Sequence, residues 1–178
     1  FCAYLTNPPI GLVPDRPPEN NDARGGMIVE AIFRRAIAVE PRNFAAHNAI
    51  AAILLGAVDQ LDMAEAHIRR AINNNPNYVP ALNNLALLLK ARGRPQEALS
   101  EARSAVSIAP RHAPALITLG SLLLEFGEAV EAEKILRHAV ILAPEDSGAH
   151  ANLGEVFKFI GAATDAETAF ERALELDP

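Results

Sequence analysis

Residues 113–146 read APALITLGSLLLEFGEAVEAEKILRHAVILAPED, and residues 79–112 before them read VPALNNLALLLKARGRPQEALSEARSAVSIAPRH. Laid over one another, the two segments agree at Leu85 and Leu119, Gly93 and Gly127, Ala98 and Ala132, Ala105 and Ala139, and Pro110 and Pro144. The same register continues on both sides. Residues 44–78 and 147–178 carry Ile50 and Leu153, Ala64 and Ala166, and Ala71 and Ala173 at the matching places. Pro41, Pro76, Pro110, Pro144 and Pro178 follow one another at spacings of 35, 34, 34 and 34 residues. A fixed period of this length marks a chain of stacked helix-turn-helix units.

Numbering each repeat from 1, positions 4, 7, 8 and 11 share one helical face, at about 3.6 residues per turn. In the second repeat that face is Leu82, Leu85, Ala86 and Leu89. Positions 20, 24 and 27 make the facing stripe of a second helix: Ala98, Ala102 and Ala105, or Ala132, Leu136 and Ala139 one repeat later. Small residues at 8, 20 and 27 let two antiparallel helices approach closely, and a larger side chain there introduces about 1–3 kcal/mol of strain. Glycine at position 15 (Gly93, Gly127, Gly161) suits the left-handed conformation that ends a helix. Proline at position 32 stops the second helix, whereas Pro80 and Pro114, at position 2, fit a helix's first turn. No stretch alternates with period two, so the expected fold is all-α.

From Phe44 to Pro178 the pattern resembles the tetratricopeptide repeat (TPR) family, in its bacterial type. The resemblance implies a right-handed superhelix of antiparallel helix pairs, an α–α solenoid, with repeats at 44–78, 79–112, 113–146 and 147–178. The first repeat departs from it by one extra residue between its helices and no glycine at position 15. Position 4 is never the Trp often found there.

The register also reaches backwards. Phe33 and Ala36 fall at positions 24 and 27, so residues 27–43 are expected to form the lone second helix of a degenerate repeat. Residues 1–26, with five prolines in the first eighteen, are expected to be an irregular leader. Its apolar residues either cover that lone helix or belong to a floppy segment. No initiating Met and no basic stretch before an apolar run points to a signal peptide, so the chain reads as a processed or excised piece. Its last helix lacks the usual polar cap of a repeat array. The expectation is that the natural protein continues, or that this end docks on another copy.

Composition limits the chemistry. A formal net charge of −6 argues against nucleic acid. The longest apolar run, Ala49–Val58, falls short of the ~20 residues of a membrane helix. Cys2 alone allows no internal disulfide and no Cys-based zinc cage. The lack of disulfides fits the cytoplasm and leaves a periplasm open. No phosphate loop, dinucleotide fingerprint or HExxH is present. His47 and His150, at position 4, are expected to be packed structural histidines. His112 lies between repeats and His138 late in a helix, and neither suggests a metal. Glu128, Glu131 and Glu133 are expected to be a solvated surface. No catalytic residue, cofactor or metal is expected, so the piece is read as a non-enzyme.

A partner surface is the remaining candidate. Positions 2, 5, 6, 9 and 13 point away from the packed face, with 12 at the margin. In TPR proteins this side lines a concave groove for peptides or partner helices, which the resemblance carries to Asn83, Asn84, Leu87, Lys90, Thr118, Ser121, Leu124, Asn152, Glu155, Lys158 and Phe159. Leu87, Leu124 and Phe159 would anchor, and Asn84, Lys90, Asn152 and Lys158 would orient. An asparagine can read an extended peptide's backbone, but Ala49 and Thr118 interrupt a ladder at position 6. Pro114 and Thr118 exclude the clamp that grips chaperone C-termini. Net charge runs from +3 in residues 79–112 to −4 in each of the two following repeats. Such a band could orient a partner or a second copy, the alternative being solvated outer faces. The expected function is a protein-interaction scaffold for a protein or peptide partner, without nucleic acid or membrane insertion. The alternatives are a TPR module of a larger glycosyltransferase- or sulfotransferase-type enzyme, or self-association through the leader or the uncapped C-terminal end.

Overall fold

The structure, a computed structural model, describes residues 23–178. The expectations for residues 1–22 lie outside the described residues. Among those described there are α-helices and one 3-10 turn and no strand: α1 (Ala23–Val39), α2 (Phe44–Leu54), α3 (Leu61–Asn74), α4 (Val79–Ala91), α5 (Pro95–Ile108), α6 (Ala113–Glu125), α7 (Ala129–Leu142), α8 (Ser147–Phe159) and α9 (Ala163–Leu176). The fold is an all-α helical-repeat solenoid. Its chain divides into two compact units, one ending at Leu88 and the other spanning Leu89–Pro178.

The punctuation follows the period. α1, α3, α5, α7 and α9 each end two residues before Pro41, Pro76, Pro110, Pro144 and Pro178. In all five the residue just past the helix donates its N–H to the carbonyl of the position-27 alanine, as Asn75 does to Ala71 and Ala143 to Ala139, both at 2.9 Å. Gly93, Gly127 and Gly161 all have positive φ, between 69° and 80°. After each, the next N–H reaches back five residues: Arg94 to Leu89, Glu128 to Leu123 and Ala162 to Phe157, each at 2.9 Å. This is the Schellman closure that only glycine enters without a Cβ penalty.

In the first unit α1, α2 and α3 pack in sequence, and α2 and α3 meet over Ile50, Ala51, Leu54, Ala64, Ile68 and Ala71, all essentially inaccessible. The extra residue and missing glycine of this repeat are absorbed by a 3-10 turn at Val58–Gln60. α1 begins at Ala23 rather than at Met27. No proline lies between Pro18 and Pro41, and Gly25 and Gly26 weaken a helix by about 1 kcal/mol each without forbidding it.

In the second unit α6 pairs with α7 and α8 with α9, while α6 also touches α8. Ala132, Leu136 and Ala139 are fully buried. Position 8 is where the helices come closest. A Cβ on Gly154 would stand 2.8 Å from the Phe170 ring, and one on Gly120 would collide with Leu136. Both large side chains sit at position 24, filling the space that glycine leaves.

Candidate functional site

The first helices are buried on more sides than one packed face requires. Besides positions 4, 7, 8 and 11, the structure covers Ala115, Thr118 and Leu122 in α6, and Ala46, Asn48 and Ala49 in α2. α6 packs on α7 and also touches α8, and α2 meets α4 through Asn48 and Asn84, so residues outside the face that meets the helix's own partner are enclosed too. A face assigned by 3.6-residue periodicity for a single pair misses this second set of neighbours.

This changes the status of the predicted groove residues. In the first unit Asn84 is only 3% exposed, and its Nδ2 donates to Oδ1 of buried Asn48 at 2.9 Å. The amide pair links α2 to α4 and leaves the Asn84 amide turned inward. Asn83 is buried as well, with an Oδ1 that accepts no hydrogen bond. Leu87, one turn on, is 39% exposed. Of the three candidates in this unit, Leu87 alone faces solvent.

In the second unit Thr118 is buried, and Ser121, Leu124 and Asn152 are half-buried. Lys90 is held by Ser121, whose Oγ accepts from its Nζ at 3.0 Å, and by an ion pair with Glu125. The two contacts join the end of α4 to α6. On α8, Glu155, Lys158 and Phe159 are all exposed, Phe159 by 61%. Lys158 lies 3.3 Å from Glu155, a surface pair worth at most about 1 kcal/mol. The second unit therefore brings together Lys90 and Ser121, and presents Glu155, Lys158 and Phe159 within a little over one turn of α8.

The basic band is largely neutralised locally. Arg103 reaches Glu128 at 3.0 Å and Glu131 at 3.4 Å, Arg94 pairs with Glu97, and Lys90 with Glu125. Glu133 pairs with Arg137, which also lies over the Phe157 ring at 5.1 Å. The glutamates expected to be merely solvated are thus ion-pair partners of nearby arginines.

The histidines divide three ways. His112 is the N-cap of α6, its Nδ1 accepting from the Ala115 N–H at 3.2 Å. Asn43 and Asp146, in the equivalent place, cap α2 and α8 through their side-chain oxygens. The cap position before each first helix is a signal the sequence carries, since three of four repeats have a capping side chain there. His150 is half-buried and directs Nε2 to the Pro144 carbonyl at 3.0 Å, so it is less packed than position 4 suggests. His47 makes the same contact to Pro41 at 3.1 Å but is fully buried, and its Nδ1 meets Nδ1 of His67 at 2.9 Å. Burial, first, and the positive charge of Arg70 lower the His47 pKa below its usual value, against the raising effect of the Pro41 hydrogen bond. Among the described residues no group of three or more His, Cys, Asp or Glu is placed to hold a metal ion, and no helix is long and apolar enough to cross a membrane.

Similarities to known proteins follow the same lines. No curated protein matches the sequence. Tetratricopeptide repeat family models match residues 67–100, 89–155 and 147–178. Among solved structures, the thermophilic TPR protein TTC0263 of Thermus thermophilus superposes with a TM-score of 0.74 at 22% identity, over 87% of this chain and 84% of that one. Pseudomonas aeruginosa pilF gives 0.71 at 16% identity, over 87% and 70%. YrrB, described as a TPR protein with an unusual peptide-binding site, gives 0.60 at 16% identity, over 87% and 79%. At such identities the likeness is one of fold. With the family models together spanning residues 67–178 and the repeat punctuation seen in the helices themselves, the chain belongs to the tetratricopeptide repeat family.

Proposed function

We propose that this interaction scaffold captures a peptide or partner segment on the exposed side of α8 and the adjoining α6, within residues 89–178. Phe159 is the apolar anchor, Lys158 and Glu155 are the charged contacts, and Leu124, Ser121 and Asn152 form the half-buried floor. The observation that carries this is the 61% exposure of Phe159 beside two charged side chains on the same helix. An aromatic surrounded by polar groups is the composition that dominates binding energy at interfaces. The peptide-binding site described for YrrB, a chain of like fold, supports the same use of the scaffold. Leu87 is the corresponding exposed anchor of the first unit.

Panning a random peptide library on the full chain, followed by affinity measurement on the selected peptides, tests this. Phe159→Ala should weaken them by at least about tenfold, the scale of an interface hot spot. Val130→Ser, on the exposed face of α7, should leave them unchanged. Peptides indifferent to Phe159→Ala, Lys158→Ala and Leu124→Ala would refute the assignment.

A further inference from the structure

His47 is 1% exposed and lies between the end of α1 and the middle of α3. The Pro41 carbonyl can only accept, so the His47 Nε2 at 3.1 Å carries the hydrogen. In a neutral ring Nδ1 is then a bare acceptor, and the facing His67 Nδ1, 2.9 Å away, must be the donor. The rings are tilted by 44° with centroids 5.1 Å apart. One directed chain of hydrogen bonds thus runs from α3 through α2 to the link after α1.

We infer that the His47–His67 pair is an acid-sensitive latch, closing α1, α2 and α3 together near neutral pH and releasing them in acid. The pair tolerates one proton and not two. Protonated His67 still donates from Nδ1. With His67 protonated, a second proton on His47 would set two N–H donors against each other at 2.9 Å, and it would place an imidazolium in an apolar interior.

Among the described residues, the charge that bears on His47 is the positive one of Arg70, which does not relieve it. α2 has no other titratable side chain, and residues 79–88 of α4 have none. From α3, Arg70 repels a proton on His47, and Glu65 is paired with Arg69; Asp62 is the remaining acid of that helix. Tyr78 packs edge-on against Phe44. In the described side chains of α1 and its link the charged residues are Arg34, Arg35, Glu40 and Arg42, and Glu40 already accepts from Asn43 Nδ2 at 3.2 Å. A histidine whose affinity for protons is lower folded than unfolded stabilises fully above the unfolded value of about 6.5, and this stabilisation is lost as pH falls.

The second unit has no such pair among its histidines. His150 is half-buried and turned to a backbone carbonyl, His138 is exposed, and His112 caps α6 through the Ala115 N–H. Acid should therefore open one unit before the other.

Hydrogen exchange of the full chain, corrected for intrinsic rates, reads this directly. From pH 7.5 to 5.5, exchange in residues 44–74 should rise about tenfold, and exchange in residues 113–159 should change less than twofold. His47→Gln retains a donor for Pro41 and an acceptor for His67 but cannot be protonated, and it should abolish the rise. His112→Asn, which keeps the α6 cap, should leave it intact. An equal rise in His47→Gln, or no rise in the native chain, would overturn the latch. Imidazole 15N spectra of the native chain give a measurement independent of any variant. His47 should remain neutral with its hydrogen on Nε2 for as long as α2–α3 is folded. A normal His47 titration without loss of those signals would also overturn the latch.

Discussion

The hairpins α2–α3 and α6–α7 are the same repeat built two ways. α6–α7 turns on Gly127 at φ 76°, brings its helices together at Gly120 against Leu136, and has an almost wholly apolar interior. α2–α3 turns through a 3-10 segment without a left-handed glycine, has Ala51 in place of Gly120, and buries His47 and Asn48. Both keep fully buried alanines at positions 20 and 27: Ala64 and Ala71, Ala132 and Ala139. The hairpin therefore depends on the close-packed alanine stripe, and the turn is interchangeable. The polar interior of the first hairpin is a local addition whose chemistry the second does not share.

Paired substitutions in the two hairpins test this contrast, and urea unfolding measures each. Gly120→Ala forces Leu136 aside and should destabilise the second unit by about 2 kcal/mol, whereas Ala51→Gly, which adds nothing to the interior, should cost only about 1 kcal/mol. Gly127→Ala places a side chain at positive φ and should cost about 1 kcal/mol. The nearest glycine of the first turn is Gly56, which is not at positive φ, and a Cβ there meets only the Ile53 carbonyl at 3.5 Å. Gly56→Ala should therefore be neutral or stabilise by up to about 1 kcal/mol. If the two glycines respond alike, the turns are not built as described. Removal of the α8 cap by Asp146→Ala should cost about 1 kcal/mol. The smallest effect belongs to Arg103→Ala. Its pairs with Glu128 and Glu131 are exposed, so the loss should stay below about 1 kcal/mol and shrink further in high salt.

The period made most of the fold legible. Prolines two residues beyond each second helix, glycines at three turns and alanines at 20 and 27 are backbone and packing requirements, and they recur because every repeat meets the same local geometry. The candidate surface was less legible. Positions 5 and 6 point away from a helix's own partner, yet Asn83, Asn84 and Thr118 are buried, Asn84 against Asn48 of the preceding first helix. That covering depends on contacts between repeats, such as Asn48 with Asn84, which a pattern within one repeat does not encode. Glu155, Lys158 and Phe159, which the helical period places at positions 9, 12 and 13 away from the packed face, are exposed. The His47–His67 contact joins positions 4 and 23 of a single repeat and does not recur, so no periodicity announces it.

If the solvent-facing side of α8 and α6 receives a partner segment, an amide and methyl chemical-shift map of the full chain with a library-selected peptide will locate it. Perturbations should concentrate at Leu124, Asn152, Glu155, Lys158 and Phe159, with Val130 and Ile141 on the exposed face of α7 unmoved. Perturbations centred on Val130 and Ile141, with Phe159 unchanged, would mean that the partner docks elsewhere and that the assignment of this face is wrong.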